Sequence, residues 1–369
     1  MGCFDLGSNQ FKTKNKQPVY RLLLSALSII FCFTASAVEV TDLYQDILKV
    51  DDKTRDTRLA ASRKALLNVL VKVSGDESAD QNSLAQQKTQ DISDYMLKFE
   101  YDESTTGNLK LVVKFEARKI NALIKELGLP LWGVQRPLIA IWLGIEDNWR
   151  RELVTQESYP QLEQLIYDKA GRRGLPVVVP LLDLQDRRLV GIPEVWGNFS
   201  EPVEEASKRY SAERSITARM YKQPDSENWV LDWRFTNDDL FELNRLTGDK
   251  QQVVAQMIDT LAKGLANEYA IDPNAYYEQA AATLTLKGTQ SFVDIELAKR
   301  RLSNLSVVTQ ATIIRKTPDL VEFKLNHTGS VVDLKKALGL DAAFRDYVDP
   351  SAFYHIVDKN SLEYQWIGE

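Results

Sequence analysis

A mixed α+β and α/β architecture in three small domains is what this 369-residue chain predicts. Its apolar positions switch repeatedly between a period of two and one of about 3.6 residues, as strands and helices demand. Two continuous apolar runs, 138–143 and 175–182, read as strands of a parallel sheet covered on both faces. Proline and glycine interrupt the pattern at 128–137, and Asp272-Pro273-Asn274 interrupts it again. The expectation is a central α/β sandwich over 134–272, flanked by a β-α-β-β-α unit at 38–133 and another at 273–369. For the last unit a ferredoxin-like arrangement is one expectation.

Residues 1–37 stand apart as a leader. Lys12, Lys14, Lys16 and Arg21 precede an apolar run at 22–33 that ends in Ala35-Ser36-Ala37, the order of a secretory signal peptide. The run is shorter than the roughly 20 residues a spanning helix needs. Cleavage before Val38 and an exported, periplasmic product without an integral membrane segment are therefore expected, retention of the leader as an anchor being the alternative. Phe31 is too large for the position that precedes a lipid-modified cysteine, which sets Cys32 aside as an acylation site.

The formal charge is −6, and losing a leader that carries four basic residues and Asp5 makes it more negative still. Nucleic acid and anionic lipid are accordingly not expected as partners. Both cysteines, Cys3 and Cys32, lie in the leader, so the exported chain has no disulfide, thiol nucleophile or thiolate metal site. His327 and His355 are the two histidines, too few for a His-rich zinc site or a readily assembled Ser-His-Asp triad; each reads as a turn or surface residue, with proton transfer the alternative. No Walker A loop or G-x-G-x-x-G is present, and neither a cofactor nor a metal is expected.

In order along the chain, a first strand precedes a helix at about 55–73, where Leu59, Leu66, Leu70 and Val73 share a face and Gly75 is placed as a left-handed cap. Tyr95, Leu97, Phe99 and Tyr101 alternate, as do Leu109, Leu111, Val113 and Phe115, predicting two antiparallel strands about a turn at 106–108. A helix with Ile120, Leu123, Ile124 and Leu127 inward closes the unit. In the central domain a helix carrying Leu162, Leu165, Ile166 and Ala170 joins the two apolar strands and ends at Gly174. A long loop, a helix near 202–211 and strands near 214–222, 229–236 and 240–246 follow. Trp229, Leu231, Trp233 and Phe235 alternate with polar positions, predicting a strand buried on one face. A long helix closes the domain with Val253, Val254, Met257, Ile258, Leu261 and Leu265. The third unit reads strand 283–288, helix 292–302, strands 306–314 and 320–326 and helix 330–338, with a last strand from Leu362, Tyr364 and Trp366. Its order repeats the first unit, and both second helices end in L-x-x-x-L-G, at Leu123 and at Leu334. Internal duplication and chance recurrence of a common small unit both account for this.

The long loop leaves the carboxyl end of a predicted parallel strand, where ligands of α/β sheets gather. It holds Asp183, Asp186, Glu194, Trp196 and Phe199, and Trp196 beside Gly197 reads either as an interface anchor on a flexible hinge or as a cover for the sheet edge. Trp149, after the first parallel strand, would lie near Trp196 if both leave the same sheet end. Arg172 and Arg173 close a helix, where cations meet its negative end; binding a partner is the other reading. These residues, Trp149, Arg172, Arg173, Asp183, Asp186, Trp196 and Phe199, form the candidate partner-binding set. Asp183, Asp186 and Glu194 also admit a carboxylate-dependent glycan hydrolase.

The segments Lys72-Val73-Ser74-Gly75, Leu129-Pro130-Leu131-Trp132, Arg136-Pro137, Arg172-Arg173-Gly174-Leu175-Pro176, Pro180-Leu181-Leu182-Asp183-Leu184 and Ala206-Ser207-Lys208-Arg209-Tyr210 resemble the exported Gram-negative family catalogued as domain of unknown function 2066. More remotely, the order of elements in 134–272 is similar to the amino-terminal domain of TolB and to the periplasmic domains of CsgG and the flagellar T-ring assembly protein, and 38–133 is similar to the small amino-terminal domain of that flagellar protein. The resemblance implies envelope assembly or scaffolding and brings no activity, ligand or catalytic residue. The expected function is a non-enzymatic periplasmic protein that binds an envelope protein or complex. A small-ligand binder and the hydrolase are the alternatives.

Overall fold

Three sheets, each built from a stretch of chain with its own helices, form the structure. The computed structural model describes residues 42–103, 109–236, 243–277, 279–289, 291–347 and 360–368. The expected leader, His355 and the expected turn at 106–108 lie outside the described residues.

In the first stretch, β1 (Gln45–Lys49) is followed by α1 (Arg55–Ser74), whose first turn is capped by the Thr54 hydroxyl accepting from the Thr57 N–H. Leu66, Leu70 and Val73 are buried on its inner face, with Leu59 half-buried. The helix stops at Gly75, in the left-handed region at φ 70°. A Cβ there would meet the Ala266 Cβ at 2.4 Å, so both backbone conformation and space require glycine. Short helices α2 (Ser83–Lys88) and α3 (Ile92–Tyr95) lead into β2 (Met96–Asp102), then β3 (Lys110–Phe115) and α4 (Ala117–Glu126). The sheet order is β1-β3-β2, all antiparallel. Leu111, Val113 and Phe115 of the central strand are buried, whereas Leu97 and Phe99 of edge strand β2 are exposed.

The central sheet runs β5-β4-β7-β8-β9, from β4 (Ile139–Asp147), β5 (Arg150–Leu153), β7 (Arg214–Lys222), β8 (Trp229–Phe235) and β9 (Asn244–Gly248). As its apolar run predicts, β4 is buried on both faces, and it pairs in parallel with β7. The run at 175–182 is a correction: only β6 (Val177–Val178) forms a strand, pairing with the start of β4. Pro176 and Pro180 bracket it and lack the N–H a ladder needs. On one face lie α5 (Pro160–Arg173) and α9 (Lys250–Tyr269), with Met257, Ile258 and Leu261 of α9 packed on Ile141, Leu143 and Trp233.

On the other face the expected long loop instead holds two short helices, α6 (Asp186–Leu189) and α7 (Ile192–Trp196), and the helix expected near 202–211 follows as α8 (Ser200–Lys208). They enclose Ala140, Trp142, Val195, Val203 and Ala206. Because this side is covered as well, Val230 and Asp232 are buried, and β8 is not a one-face strand.

The third stretch comprises β10 (Gln279–Lys287), α10 (Phe292–Asn304), β11 (Val308–Lys316), β12 (Leu320–Thr328), α11 (Val331–Gly339), β13 (Phe344–Asp346) and β14 (Ser361–Trp366). Its order is β11-β12-β10-β14-β13. The run β10-β12-β11 repeats the first-third-second order of the first sheet. The extra strand β13 reverses the chain before β14, which therefore runs parallel to β10. His327 is a correction: it lies in β12 with the parity of Val321, Phe323 and Leu325, so it faces the core, 1% exposed, and neither ring nitrogen has a hydrogen-bond partner. Among the described residues no helix is long and apolar enough to cross a membrane.

Candidate partner-binding surface

The β4–β5 hairpin turns through Asn148 (φ 51°) and Trp149 (φ 65°), with Asp147 paired to Arg150. Positive φ at both central residues makes this a type I′ turn, whose second position ordinarily holds glycine. A bulky side chain in that conformation is strained. Trp149 nonetheless sits there and is 94% exposed.

Two residues on, Arg151 turns back over the sheet. It pairs with Glu146 at 2.6 Å, and its guanidinium lies 4.4 Å from the centre of the Trp196 ring. Trp196 occupies the last position of α7, not a flexible hinge. Pro193 starts that helix, and the Glu194 carboxylate accepts from the Gly191 N–H at 2.8 Å. The indole packs over Gly144, where a Cβ would stand in ordinary contact with it, 3.4 Å from Trp196 Cε3. Tyr221 lies beside it at a tilt of 51°, ring centres 6.3 Å apart. Trp196 thus covers the sheet, half-buried. The hairpin that carries Trp149 supplies the arginine stacked on it, so the two expected anchors share one end of the sheet. Phe199, beyond Gly197, is 55% exposed.

Strand polar groups clamp the Trp196-Gly197-Asn198 turn. Arg219 Nη1 donates to the Trp196 carbonyl at 3.3 Å, Arg234 Nη2 to the Asn198 carbonyl at 2.7 Å, and the Thr217 hydroxyl to Asn198 Oδ1 at 2.8 Å. Across the same face runs a row from three adjacent strands. Asp232, fully buried, accepts from Arg219 Nε at 3.2 Å and from Arg245 Nε at 2.6 Å and Nη2 at 3.1 Å. Burial alone would raise the Asp232 pKa, but the two guanidinium groups outweigh it and hold the carboxyl below its usual value. These residues escaped sequence reasoning. Their signal was parity, since Arg219 and Asp232 sit at interior positions of β7 and β8 opposite the apolar ones.

Asp183 and Asp186 belong to a separate knot. Asp183 caps α6 through the Gln185 and Asp186 N–H groups and takes both Arg209 nitrogens, at 2.6 and 2.8 Å. That hydrogen bonding holds its carboxyl well below the ordinary range. Asp186, fully buried, accepts from the Leu182 N–H, Arg209 and the Tyr210 hydroxyl, whose pKa is raised by burial and by this bond. With Glu194 committed to capping α7, the three acids proposed for hydrolysis are all engaged in internal hydrogen bonds.

Arg172 is exposed, but Arg173 is buried, donating to the Gly75 carbonyl at 3.0 Å with Glu77 and Asp259 each 3.8 Å away. It joins the first stretch to the second and is not available to a partner. Both arginines lie by the start of β4, whereas Trp149 follows its end, so the seven candidates divide into three groups. Next to the Gly75 junction an open cleft of about 830 Å³ is lined by Ser74, Asp76, Gln81, Lys263, Asn267 and Asp272, among others.

Residues 37–133 match a family model described as Domain of unknown function (DUF8605). The match is to an uncharacterised family, as expected, but a different one from domain of unknown function 2066, and it does not extend to the stretch likened to TolB. No curated protein matches the chain. Among solved structures, the competence or damage-inducible protein from Enterobacter asburiae is 16% identical, covering 41% of this chain and 94% of that one at a TM-score of 0.19. A CinA superfamily protein from Enterobacter cloacae is 16% identical over 41% and 88% at 0.20. Scores this low say nothing about what the present chain does.

Proposed function

We propose that this chain is an exported, non-catalytic binding protein of the cell envelope, and that another envelope protein docks on the tip of the β4–β5 hairpin and the adjoining Trp196 face. The observation that carries the reading is Trp149, a large aromatic held at φ 65° where glycine is the ordinary choice, with nearly all of its surface in water. Strain at such a position persists when it serves a function, and exposed tryptophan is the side chain most suited to anchor an interface. Arg150, with an 83% exposed side chain, adds a charged rim. The expected leader, with its basic residues, short apolar run and Ala35-Ser36-Ala37, supports the location. The commitment of Asp183, Asp186 and Glu194 to internal bonds weighs against the hydrolase. The cleft beside Gly75 is where a small ligand would sit in the alternative reading.

A photoreactive residue at position 149 in living cells tests the proposal, with Lys110 of β3 as the control. One envelope protein should be trapped from 149 and not from 110; the absence of a specific adduct would overturn the interface. Trp149→Gly should separate function from folding. It removes the left-handed strain and raises unfolding free energy by about 0.5–1 kcal/mol in urea titrations, while abolishing capture from a second probe placed at Phe199.

A further inference from the structure

We infer that the chain self-associates through β2, whose open edge pairs antiparallel with β2 of a second copy about Phe99. One edge of β2 is hydrogen-bonded to β3, and among the described residues no strand pairs with the other. Unpaired edges invite such addition unless blunted. The register irregularity between Met96 and Lys98 affects only the first residues, and Lys98 through Asp102 run in regular register. Leu97 is 59% exposed and Phe99 40% exposed, an unusual amount of apolar surface for an edge. Arg58 of α1 lies over the Phe99 ring at 4.8 Å, and Tyr101 meets it edge-on at 6.2 Å.

The occupant follows from the sequence of the strand. Lysine on an edge normally repels a neighbour, but here the charges are self-complementary. Pairing centred on Phe99 sets Lys98 opposite Glu100 of the second copy, Leu97 opposite Tyr101, and Phe99 opposite itself. Registers centred on 98 or 100 oppose like charges directly. One centred on 97 sets Asp94 against Glu100, and one centred on 101 sets Glu100 against Asp102. Among registers that keep the helices of both copies on one face, the Phe99 register alone joins opposite charges without like ones. At present Lys98 and Glu100 meet each other along the strand at 3.5 Å, both more than half exposed, and an exchange of partners costs them little. The product is a two-fold interface and a continuous sheet β1-β3-β2-β2-β3-β1.

Sedimentation equilibrium of the full chain at increasing concentration tests the inference, with circular dichroism verifying that the exposed substitutions leave the fold intact. The natural chain should form dimers. Lys98→Glu or Glu100→Lys alone should weaken association by roughly tenfold, because each places two like-charge pairs across the axis. The double swap, Lys98→Glu with Glu100→Lys, should restore it. A chain that stays monomeric throughout, single variants that associate as the natural chain does, or a double swap no better than either single would each overturn the proposal. Capture of a partner from position 149 is independent of all these outcomes, so the two readings fail separately.

Discussion

Arg136 is fully buried, and it is bonded to carbonyl oxygens alone. Its Nε donates to Gly133, Nη1 to Arg173 and Gly174, and Nη2 to Lys72 and Trp132, at 2.7–3.1 Å, while the guanidinium lies 3.9 Å from the Trp132 ring centre. Two of those acceptors, Lys72 and Arg173, lie in the last turns of α1 and α5, whose negative ends converge on the cation. Burial, with a smaller effect from Arg173, lowers its pKa to about 9, so the charge survives at neutral pH. At Gly174 (φ 63°) a Cβ would approach Arg136 Nη1 to 2.8 Å, which explains glycine at the end of α5. Lysine keeps the charge but not the planar fork. Since a stripped buried acceptor costs about 1–3 kcal/mol, Arg136→Lys should lower the unfolding free energy in urea by more than about 3 kcal/mol. A loss below about 1 kcal/mol would show that water replaces the bonds.

At the scale of elements, Asp232 ties β7, β8 and β9 together through Arg219 and Arg245. Its pKa is depressed in the fold, so the tie contributes fully above the ordinary carboxyl value and is lost as pH falls through the lower, folded one. Asp232→Asn should therefore cost about 1–3 kcal/mol at neutral pH and flatten the acid limb of thermal stability below about pH 4. An unchanged acid limb would mean that other carboxyls dominate it. Which elements were legible in the sequence follows from their length and period. The continuous run of β4 and the 3.6-residue spacing of α9 needed no tertiary information. The helices α6 and α7 were hidden because each is about one turn long and Pro193 interrupts the stretch, so their fold depends on the sheet beneath, whereas α8 was legible as a helix near 202–211. The Trp149 and Trp196 positions were visible as residue types, and covering the sheet was one of two readings for Trp196, but the left-handed turn under Trp149 and the choice between those readings came from packing. Arg136 was read as part of a linker, since Arg-Pro after a proline- and glycine-rich stretch carries no sign of burial.

Over the whole molecule, residues 36–369 form one compact unit, and the apolar core does not respect the three expected domains. One hydrophobic cluster contains Leu111 and Val113 of the first sheet, Leu131 and Ile271 of the connecting segments, and Leu284 and Phe323 of the third sheet. The backbone bonds of Leu131 and Ile271 to each other, at 3.1 and 2.9 Å, join the two connections, and Lys336 of α11 reaches the Glu268 carbonyl of α9 at 2.6 Å. The central sheet keeps clusters of its own on its two faces. A core shared in this way makes the first and third sheets open together, because unfolding either exposes apolar surface on the other. Phe323 is fully buried, and Phe323→Ala should cost about 3–5 kcal/mol. The prediction concerns where that loss is felt. In native-state hydrogen exchange the amides of β3, on the distant first sheet, should lose protection by nearly as much as those of β12, whereas the β4 amides should keep more of theirs. Unchanged protection in β3 beside a large loss in β12 would show that the sheets open independently, and that the contacts through Leu131 and Ile271 are too few to couple them.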